Sequence, residues 1–356
     1  MRIAFDVSPL SHPPTGIGNY IRGTLGGMLE ASGGADEIVA FAPTSIRGPG
    51  RIRQALDGLD VEVCTWPVPA SHALRTAWSV VGHPDAERLL GAFDVLHFTD
   101  WMYPPQRAGV RATTIHDLVP LRFPHWTTKR TQVMHGRKYA NAARTCDRIF
   151  VNSAFTGEDV TALLGVDPAS IRVAPPGVKA VFTAGGPSED LAAPYILTVA
   201  TLEPRKNLQA LVEAHRLLGS DILLAVAGGG GWGEQPLLDD PRVRRLGFVS
   251  DEELARLYRG AAVAVYPSRF EGFGMPIIEA MACGTPVVAS AHASMDEASG
   301  AIAVRADPDD PAAIAAAIEE AIAARDRLVP AGIEHAARFT WRAAGQIMLS
   351  GYGDAL

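Results

Sequence analysis

The stretch that decides the fold is Val263–Ser290, VAVYPSRFEGFGMPIIEAMACGTPVVAS. Its apolar start, Val263–Tyr266, reads as a short buried strand, and a loop follows that carries Glu271 between Phe270 and Gly272-Phe273-Gly274. Pro276 suits the first position of a helix, where its missing N–H costs nothing. Gly284 and Pro286 end that helix, and Val287-Val288-Ala289 start another strand. Strand, loop, helix and strand in close succession predict a parallel α/β sheet. The loop bares backbone N–H groups at a helix N-terminus, where anionic ligands bind. Glu271 sits in that loop and Glu279 about one turn inside the helix. One carboxylate is therefore set beside the reacting end of a bound ligand, and the other further along it.

The same rhythm extends in both directions. Before the stretch come strands at Tyr195–Val199, Ile222–Ala227 and Val243–Leu246, with helices over Asn207–Leu218 and Asp251–Gly260. An alanine-rich amphipathic helix covers 311–324, and a short helix occupies the tail. The first half repeats the pattern from Arg2–Val7. Strands are predicted there at Ile38–Phe41, Val61–Trp66, Val95–Phe98, Thr113–Ile115, Ile149–Asn152 and Ile171–Val173, with a helix over Phe155–Leu164. After the first strand, a loop through Gly16 and Gly18 leads to a helix from about Asn19. The pattern lapses only over Pro175–Pro194, the best linker. Two doubly wound domains are expected, 1–180 and 190–338, with the active site in the cleft at their junction, at the carboxyl ends of the strands.

Composition narrows the possibilities. With 356 residues, 47% apolar and 20% charged, the chain has the profile of a soluble protein of two domains. No apolar run approaches the ~20 residues of a membrane span. MRIAFDVSPL reads as a strand, not a signal peptide. Cys64, Cys146 and Cys283 are few, odd in number and far apart, which points to a reducing cytoplasm with neither disulfide framework nor metal-ligand spacing. Cys283 reads as a small buried thiol. Residues 1–180 carry 18 Lys+Arg against 16 Asp+Glu, and the remainder 14 against 23. Within the first half, Lys129–Arg148 holds Lys129, Arg130, Arg137, Lys138, Arg144 and Arg148 against Asp147 alone. Such a basic helix is either a solvated face or a contact for anionic lipid or a phosphorylated acceptor. Nucleic acid is disfavoured by a pI near 5.8 and the lack of an aromatic-basic module.

Three further groups can carry chemistry. TTIHDLVPL sets His116-Asp117 directly after an apolar strand, at the ligand-binding edge. Glu203-Pro204-Arg205-Lys206-Asn207 follows the first strand of the second domain, and its adjacent cations match a diphosphate, Arg as a fork and Lys as a point charge. The run AGGGGWG (Ala227–Gly233) satisfies G-x-G-x-x-G only through its glycine content, and Glu234-Gln235-Pro236 interrupt the helix that a dinucleotide fold needs. It reads as a close backbone approach. Near the N-terminus, Ile21 stands where a third fingerprint glycine belongs.

Taken in order, these pieces resemble the retaining glycosyltransferases of family four, which have the GT-B fold of two Rossmann-like domains. The matching residues are Thr15–Tyr20 (TGIGNY), His116-Asp117, Val151–Thr156 (VNSAFT), Leu202–Asn207 (LEPRKN), the GGGW run, Leu246–Leu254 (LGFVSDEEL) and, most specific, Glu271 and Glu279 in their Glu-x7-Glu spacing. The resemblance covers nearly the whole chain and most closely approaches bacterial polysaccharide mannosyltransferases. It implies that Glu271 and the Gly272-Phe273-Gly274 backbone contact the donor sugar and that Glu279 binds the ribose. Arg205 and Lys206 would hold the diphosphate, with Gly16 and Gly18 closing from the other domain. Phe248-Val249 would meet the base, and His116-Asp117 would lie near the reacting carbon. The last helix, at about 341–353, would return to the first domain. Thr201 and Ala200 depart from the arginine and glycine usual in the family, so the phosphate clamp is expected to lean on Arg205.

The activity implied is transfer of a sugar from a nucleotide-diphosphate sugar, GDP-mannose first and UDP-sugars next, to a glycan, a lipid-linked sugar or a small-molecule glycoside. No cofactor is expected. Asp307 and Asp309 have the spacing of a metal motif but lie in ADPDDP before the alanine-rich helix, so they read as a turn and helix cap. Metal independence follows, with retention by same-face attack and Glu271 as a positioner. Residues 129–148 would give peripheral contact with the inner membrane surface. The rival readings are a nucleotide-sugar epimerase or dinucleotide oxidoreductase, and a non-catalytic sugar-nucleotide-binding protein.

Overall fold

A computed structural model describes residues 1–99, 101–219, 221–230 and 240–356. It divides into two units, Met1–Gly177 with Thr340–Leu356, and Val178–Phe339. The first contains β1 (Arg2–Asp6), α1 (Gly16–Ser32), β2 (Glu37–Thr44), α2 (Gly48–Ala55), β3 (Glu62–Pro67), α3 (Ser71–Val81) and the single turn α4 (Glu87–Leu90). Then come β4 (Val95–Phe98), β5 (Val110–Ile115), the turn α5 (Val119–Arg122), α6 (Lys129–Thr145), β6 (Arg148–Val151), α7 (Ala154–Leu164) and β7 (Ile171–Val173). The strands form a seven-stranded parallel sheet in the order β3-β2-β1-β4-β5-β6-β7. Side chains alternate across it: Ile3 and Phe5 enter one core with Met28, Met348 and Tyr352, while Ala4 and Phe41 face Trp78 and Trp101 on the other side.

In the second unit lie β8 (Tyr195–Val199), α8 (Leu208–Leu217), β9 (Leu223–Ala227), β10 (Val243–Gly247), α9 (Asp251–Gly260) and β11 (Val263–Tyr266). The rest of it is α10 (Met275–Ala282), β12 (Val287–Ser290), the turn α11 (Asp296–Ser299), β13 (Val304–Ala306), α12 (Pro311–Ala323) and α13 (Arg325–Ala336). Its six-stranded parallel sheet runs β10-β9-β8-β11-β12-β13. Leu197, Ala225, Ala264 and Tyr266 line one core; Ile196, Leu224, Val263 and Val265 line the other. Helix α9 starts where it does because Ser250 and Glu253 form a reciprocal capping box.

Four expectations change. Helix α1 begins at Gly16, capped by the Thr15 hydroxyl on the Gly18 N–H at 3.1 Å, so both glycines sit in its first turn, not in a loop. The later glycines of α1 serve packing. A Cβ on Gly27 would fall 1.8 Å from the Trp341 carbonyl oxygen, and one on Gly23 2.3 Å from the Trp341 ring, because the tail helix Trp341–Gly353 crosses there. Residues 178–189 are no free linker: Phe182 is buried in the second core, and Lys179 pairs with Asp251 at 2.7 Å. Finally, α6 stops at Thr145, so Arg148 opens β6 and donates to the Gly351 and Asp354 carbonyls. Lys138 is buried too, its ammonium 2.7 Å from the Thr114 carbonyl oxygen.

Among the described residues no helix is long and apolar enough to cross a membrane. Cys283 is buried as expected, and burial first of all pushes its thiol up to about 12.

Candidate functional site

In the second unit the strand order reverses between β8 and β11, which are neighbours in space but not in sequence. Ligands of open parallel sheets bind outside the carboxyl ends of such a strand pair. The loops leaving those two ends are Ala200–Asn207 and Pro267–Gly274, and they are stitched together. Arg269 N–H donates to the Arg205 carbonyl at 2.8 Å, and the Asn207 amide donates to the Pro267 carbonyl at 3.2 Å. Asn207 takes φ +55° to end the Pro204–Lys206 turn and start α8.

Glu271 lies at the centre, with 7% of its surface exposed. One oxygen accepts from Arg205 Nη1 at 2.7 Å and the other from Lys206 Nζ at 2.6 Å. Its own N–H donates to Ser294 Oγ at 3.1 Å, and Ser294 Oγ is in turn 2.9 Å from His292 Nδ1. Lys206 also donates to the Tyr266 hydroxyl at 2.9 Å. Arg205 Nη2 pairs with Glu203 at 3.1 Å, and the Thr201 hydroxyl donates to the same Glu203 oxygen at 2.8 Å. Burial alone pushes the Glu271 carboxyl up, but the Arg205 and Lys206 charges outweigh it and leave it at about 2. Burial and the neighbouring Arg205 push the Lys206 ammonium down. Glu271 is thus a fixed anion between two cations. An ammonium has three protons. With two given to Glu271 and Tyr266, Lys206 has one left for a ligand.

The remaining expected residues of this unit sit after β10, in the loop that leads to α10, and in α10 itself. Gly274 caps α10 at φ 102° with no side-chain acceptor; Pro276 follows Met275 at the second helical position, where no N–H needs a partner, and the Ile277 N–H donates to the Gly274 carbonyl at 3.0 Å. Phe273 points into the core against Phe339. Phe248 is 68% exposed, whereas Val249 packs partly on the core. Glu279 is only partly buried by surface, yet desolvation raises its carboxyl to about 7, with Lys179 opposing and Asp251 adding. Gly228, at φ +138°, would place a Cβ 2.0 Å from the Ala200 carbonyl oxygen, so the close approach read in the glycine run is real there. Gly231, Trp232, Gly233 and Glu234-Gln235-Pro236 lie outside the described residues. The helix cap expected of Asp307 and Asp309 falls instead on Asp310; Asp309 pairs with Arg269 at 2.8 Å, and Asp307 accepts the Asp309 N–H.

In the first unit, His116 and Asp117 follow β5. Asp117 is a turn former: its carboxylate accepts the Val119 N–H at 3.0 Å, and its carbonyl accepts from Tyr139. His116 packs edge-on against Tyr20, with ring centroids 4.9 Å apart. Its Nε2 is buried and has no partner among the described residues. Burial, then Lys138 and His135, lower its pKa to about 3. The ring is neutral and suited to hydrogen bonding, not to acid catalysis.

The sequence reading missed Tyr266, His292 and Ser294. Tyr266 ends a strand, and the rule that found His116 applies equally to it. Ser294 and His292 carry no local signal, because they reach Glu271 only through the fold.

The chain is similar to known proteins along most of its length. The family described as "Glycosyl transferases group 1" matches residues 193–324, and "Glycosyltransferase Family 4" matches residues 29–181. The O-antigen chain mannosyltransferase B of Escherichia coli is 27% identical over 96% of both chains. A D-inositol 3-phosphate glycosyltransferase of Acidothermus cellulolyticus is 30% identical over 76% of this chain and 69% of its own. Among solved structures, sucrose-phosphate synthase from Thermosynechococcus elongatus has a TM-score of 0.72 at 21% identity, covering 99% of this chain and 98% of that one. Anabaena HepE, in complex with UDP and glucose, has a TM-score of 0.70 at 16% identity, covering 99% and 100%. These matches do not favour the epimerase, oxidoreductase or non-catalytic readings.

Proposed function

Because the chain belongs to the family-four glycosyltransferases of GT-B fold, we propose that it transfers a sugar, with retention, from a nucleotide-diphosphate sugar bound at the Glu271–Arg205–Lys206 cluster. The observation that carries this is a buried carboxylate held between two cations at the carboxyl edge of the strand switch. Breaking the anomeric bond leaves a nucleoside diphosphate, and Arg205 and Lys206 supply preorganised positive charge for it. Glu271 positions sugar hydroxyls; the departing phosphate takes the acceptor's proton on the same face. Glu279 binds the ribose, Phe248-Val249 the base, and Gly272-Phe273-Gly274 the sugar. In the first unit, His116 and Asp117 serve the sugar end, and Gly16 and Gly18 the phosphates. No metal or other cofactor is needed for charge that these cations already provide.

A mannosyl donor, GDP-mannose, is favoured by the likeness to the O-antigen mannosyltransferase along nearly all of both chains. A UDP-sugar has the weaker support of the UDP-bound fold neighbour at 16% identity. The acceptor is a growing glycan, a lipid-linked sugar or a small-molecule glycoside, within polysaccharide assembly. The site of action is the cytoplasmic side of the membrane, with peripheral contact through residues 129–148. Thermal-shift measurements with GDP-, UDP-, ADP- and dTDP-sugars, with and without EDTA, test the donor. The expected result is one nucleotide class that raises the melting temperature by mass action, unaffected by EDTA. No shift with any of them overturns the assignment.

A further inference from the structure

Two surfaces of the first unit are unlike the rest of it, and they adjoin. On α3, Ala73, Leu74, Ala77, Val80 and Val81 are all exposed, Leu74 by 49%, Val80 by 57% and Val81 by 71%. At 100° per residue these five fall within about 120° of the helix circumference, so they make one wholly apolar outer face. The inner face of the same helix is buried normally, through Arg75, Trp78 and Ser79. An amphipathic helix in a free-standing globule turns its apolar side inward. Here a second apolar side faces out.

Helix α6 presents the complement. Lys129, Arg130, Val133, Ala140, Arg137 and Arg144 are exposed and fall within about 100° of its circumference. None of the four cations makes an ion pair or hydrogen bond among the described residues, and neither α3 nor α6 contains an acidic residue. The two faces meet across an open groove of about 770 Å³, bordered by Ala73 and Thr76 on one side and Lys129, Arg130 and Val133 on the other. Lys138, which would have enlarged the basic surface, is turned inward on the Thr114 carbonyl.

From this juxtaposition we infer that the α3–α6 face docks on an anionic lipid bilayer, α3 entering the headgroup boundary with its aliphatic side chains and α6 laying four cations on lipid phosphates. A bilayer surface satisfies both halves at once, offering anionic groups beside a hydrocarbon layer. The face carries small aliphatic side chains and none of the tryptophans or tyrosines that anchor most protein interfaces. The inference deepens the peripheral contact proposed above by turning a single basic helix into a two-helix face, and it does not depend on which donor is bound.

The test is co-sedimentation of the full chain with phosphatidylcholine vesicles, with and without phosphatidylglycerol. Wild type is expected to sediment only with the anionic vesicles. A charge variant, Lys129→Glu with Arg130→Glu, Arg137→Glu and Arg144→Glu, should lower the bound fraction at least about tenfold. An apolar variant, Leu74→Ser with Val80→Ser and Val81→Ser, should lower it comparably with every charge retained. Both variants should keep the donor-induced melting shift of wild type, which separates failure of the docking face from failure of the transferase reading and from misfolding. Absence of sedimentation, or sedimentation unchanged by either variant, overturns the inference. So does loss confined to the charge variant, since it reduces α6 to a solvated basic face.

Discussion

At the residue scale the site turns on how its carboxylates are charged. Glu271 has a folded pKa of about 2 against an ordinary 4.5. Its ionised form is therefore stabilising above pH 4.5, and that contribution, roughly 3 kcal/mol for such a shift, is lost as pH falls toward 2. Urea unfolding between pH 2 and 6 should accordingly show wild type losing more stability on acidification than Glu271→Gln. Removing the carboxylate also leaves the buried Lys206 ammonium beside Arg205 without its counter-charge, so Glu271→Ala should cost about 3 kcal/mol or more as well as orders of magnitude in transfer. Lys206→Ala should cut transfer similarly while leaving Glu271 paired with Arg205; near-normal turnover in that variant would remove the cluster from the mechanism. Glu279 titrates the opposite way. Its folded value of about 7 lies above 4.5, so its native carboxyl holds a proton that the unfolded chain gives up, and stability declines as pH rises from 4.5 through 7. If the ionised form accepts the ribose hydroxyls, the donor KM should fall as pH rises through 7, and Glu279→Gln should flatten that dependence. A KM that follows the same curve in the variant would assign the titration elsewhere.

At the scale of elements, what was legible depended on whether a side chain's partner was local. Strands β4 and β11 and helix α9 match the sequence reading residue for residue, because an apolar run bounds each strand and a capping box marks the start of the helix. Glu271, Arg205 and Lys206 could be expected together, since each follows a strand and parallel sheets gather strand ends on one edge. The glycines of α1 were open to misreading. A loop that cradles phosphate and a helix that another helix crosses both demand glycine, and only the tail helix decides between them. Its residue Gly345 would set a Cβ 2.2 Å from the Gly27 carbonyl carbon, so the two backbones touch. Gly27→Val should therefore destabilise the first unit by about 3 kcal/mol, read as a lowered urea midpoint, whereas Gly34→Ala, with nothing within 4 Å, should act only through its positive φ. Equal effects would show that the helix contact is loose. Lys138 was illegible for a related reason: its place in a basic run says outward, and only the carbonyl it reaches at the end of β5 says inward.

At the scale of the whole molecule, the chain leaves its first unit at Gly177 and re-enters it at Thr340. A tail of seventeen residues could be a frayed end; its side chains say otherwise. Met348 and Tyr352 have no exposed surface, and the Tyr352 hydroxyl lies 2.8 Å from His97 Nδ1 beneath the first sheet. Gly177 must be glycine because a Cβ there would come 2.1 Å from the Trp341 N, so departure and return are packed against each other. The second unit's cores are built from residues between Val178 and Phe339. Truncation after Phe339 should therefore act on the first unit alone. Losing two large buried side chains together with their helix costs more than about 5 kcal/mol, comparable to the whole stability of an ordinary domain. Calorimetry of the truncated chain should show the first unit's transition lowered or abolished, while the second unit's remains and is still raised by the nucleotide that stabilises the full chain. A single transition with an unchanged midpoint would mean that the tail is dispensable; loss of both would mean that the second unit depends on a complete first one.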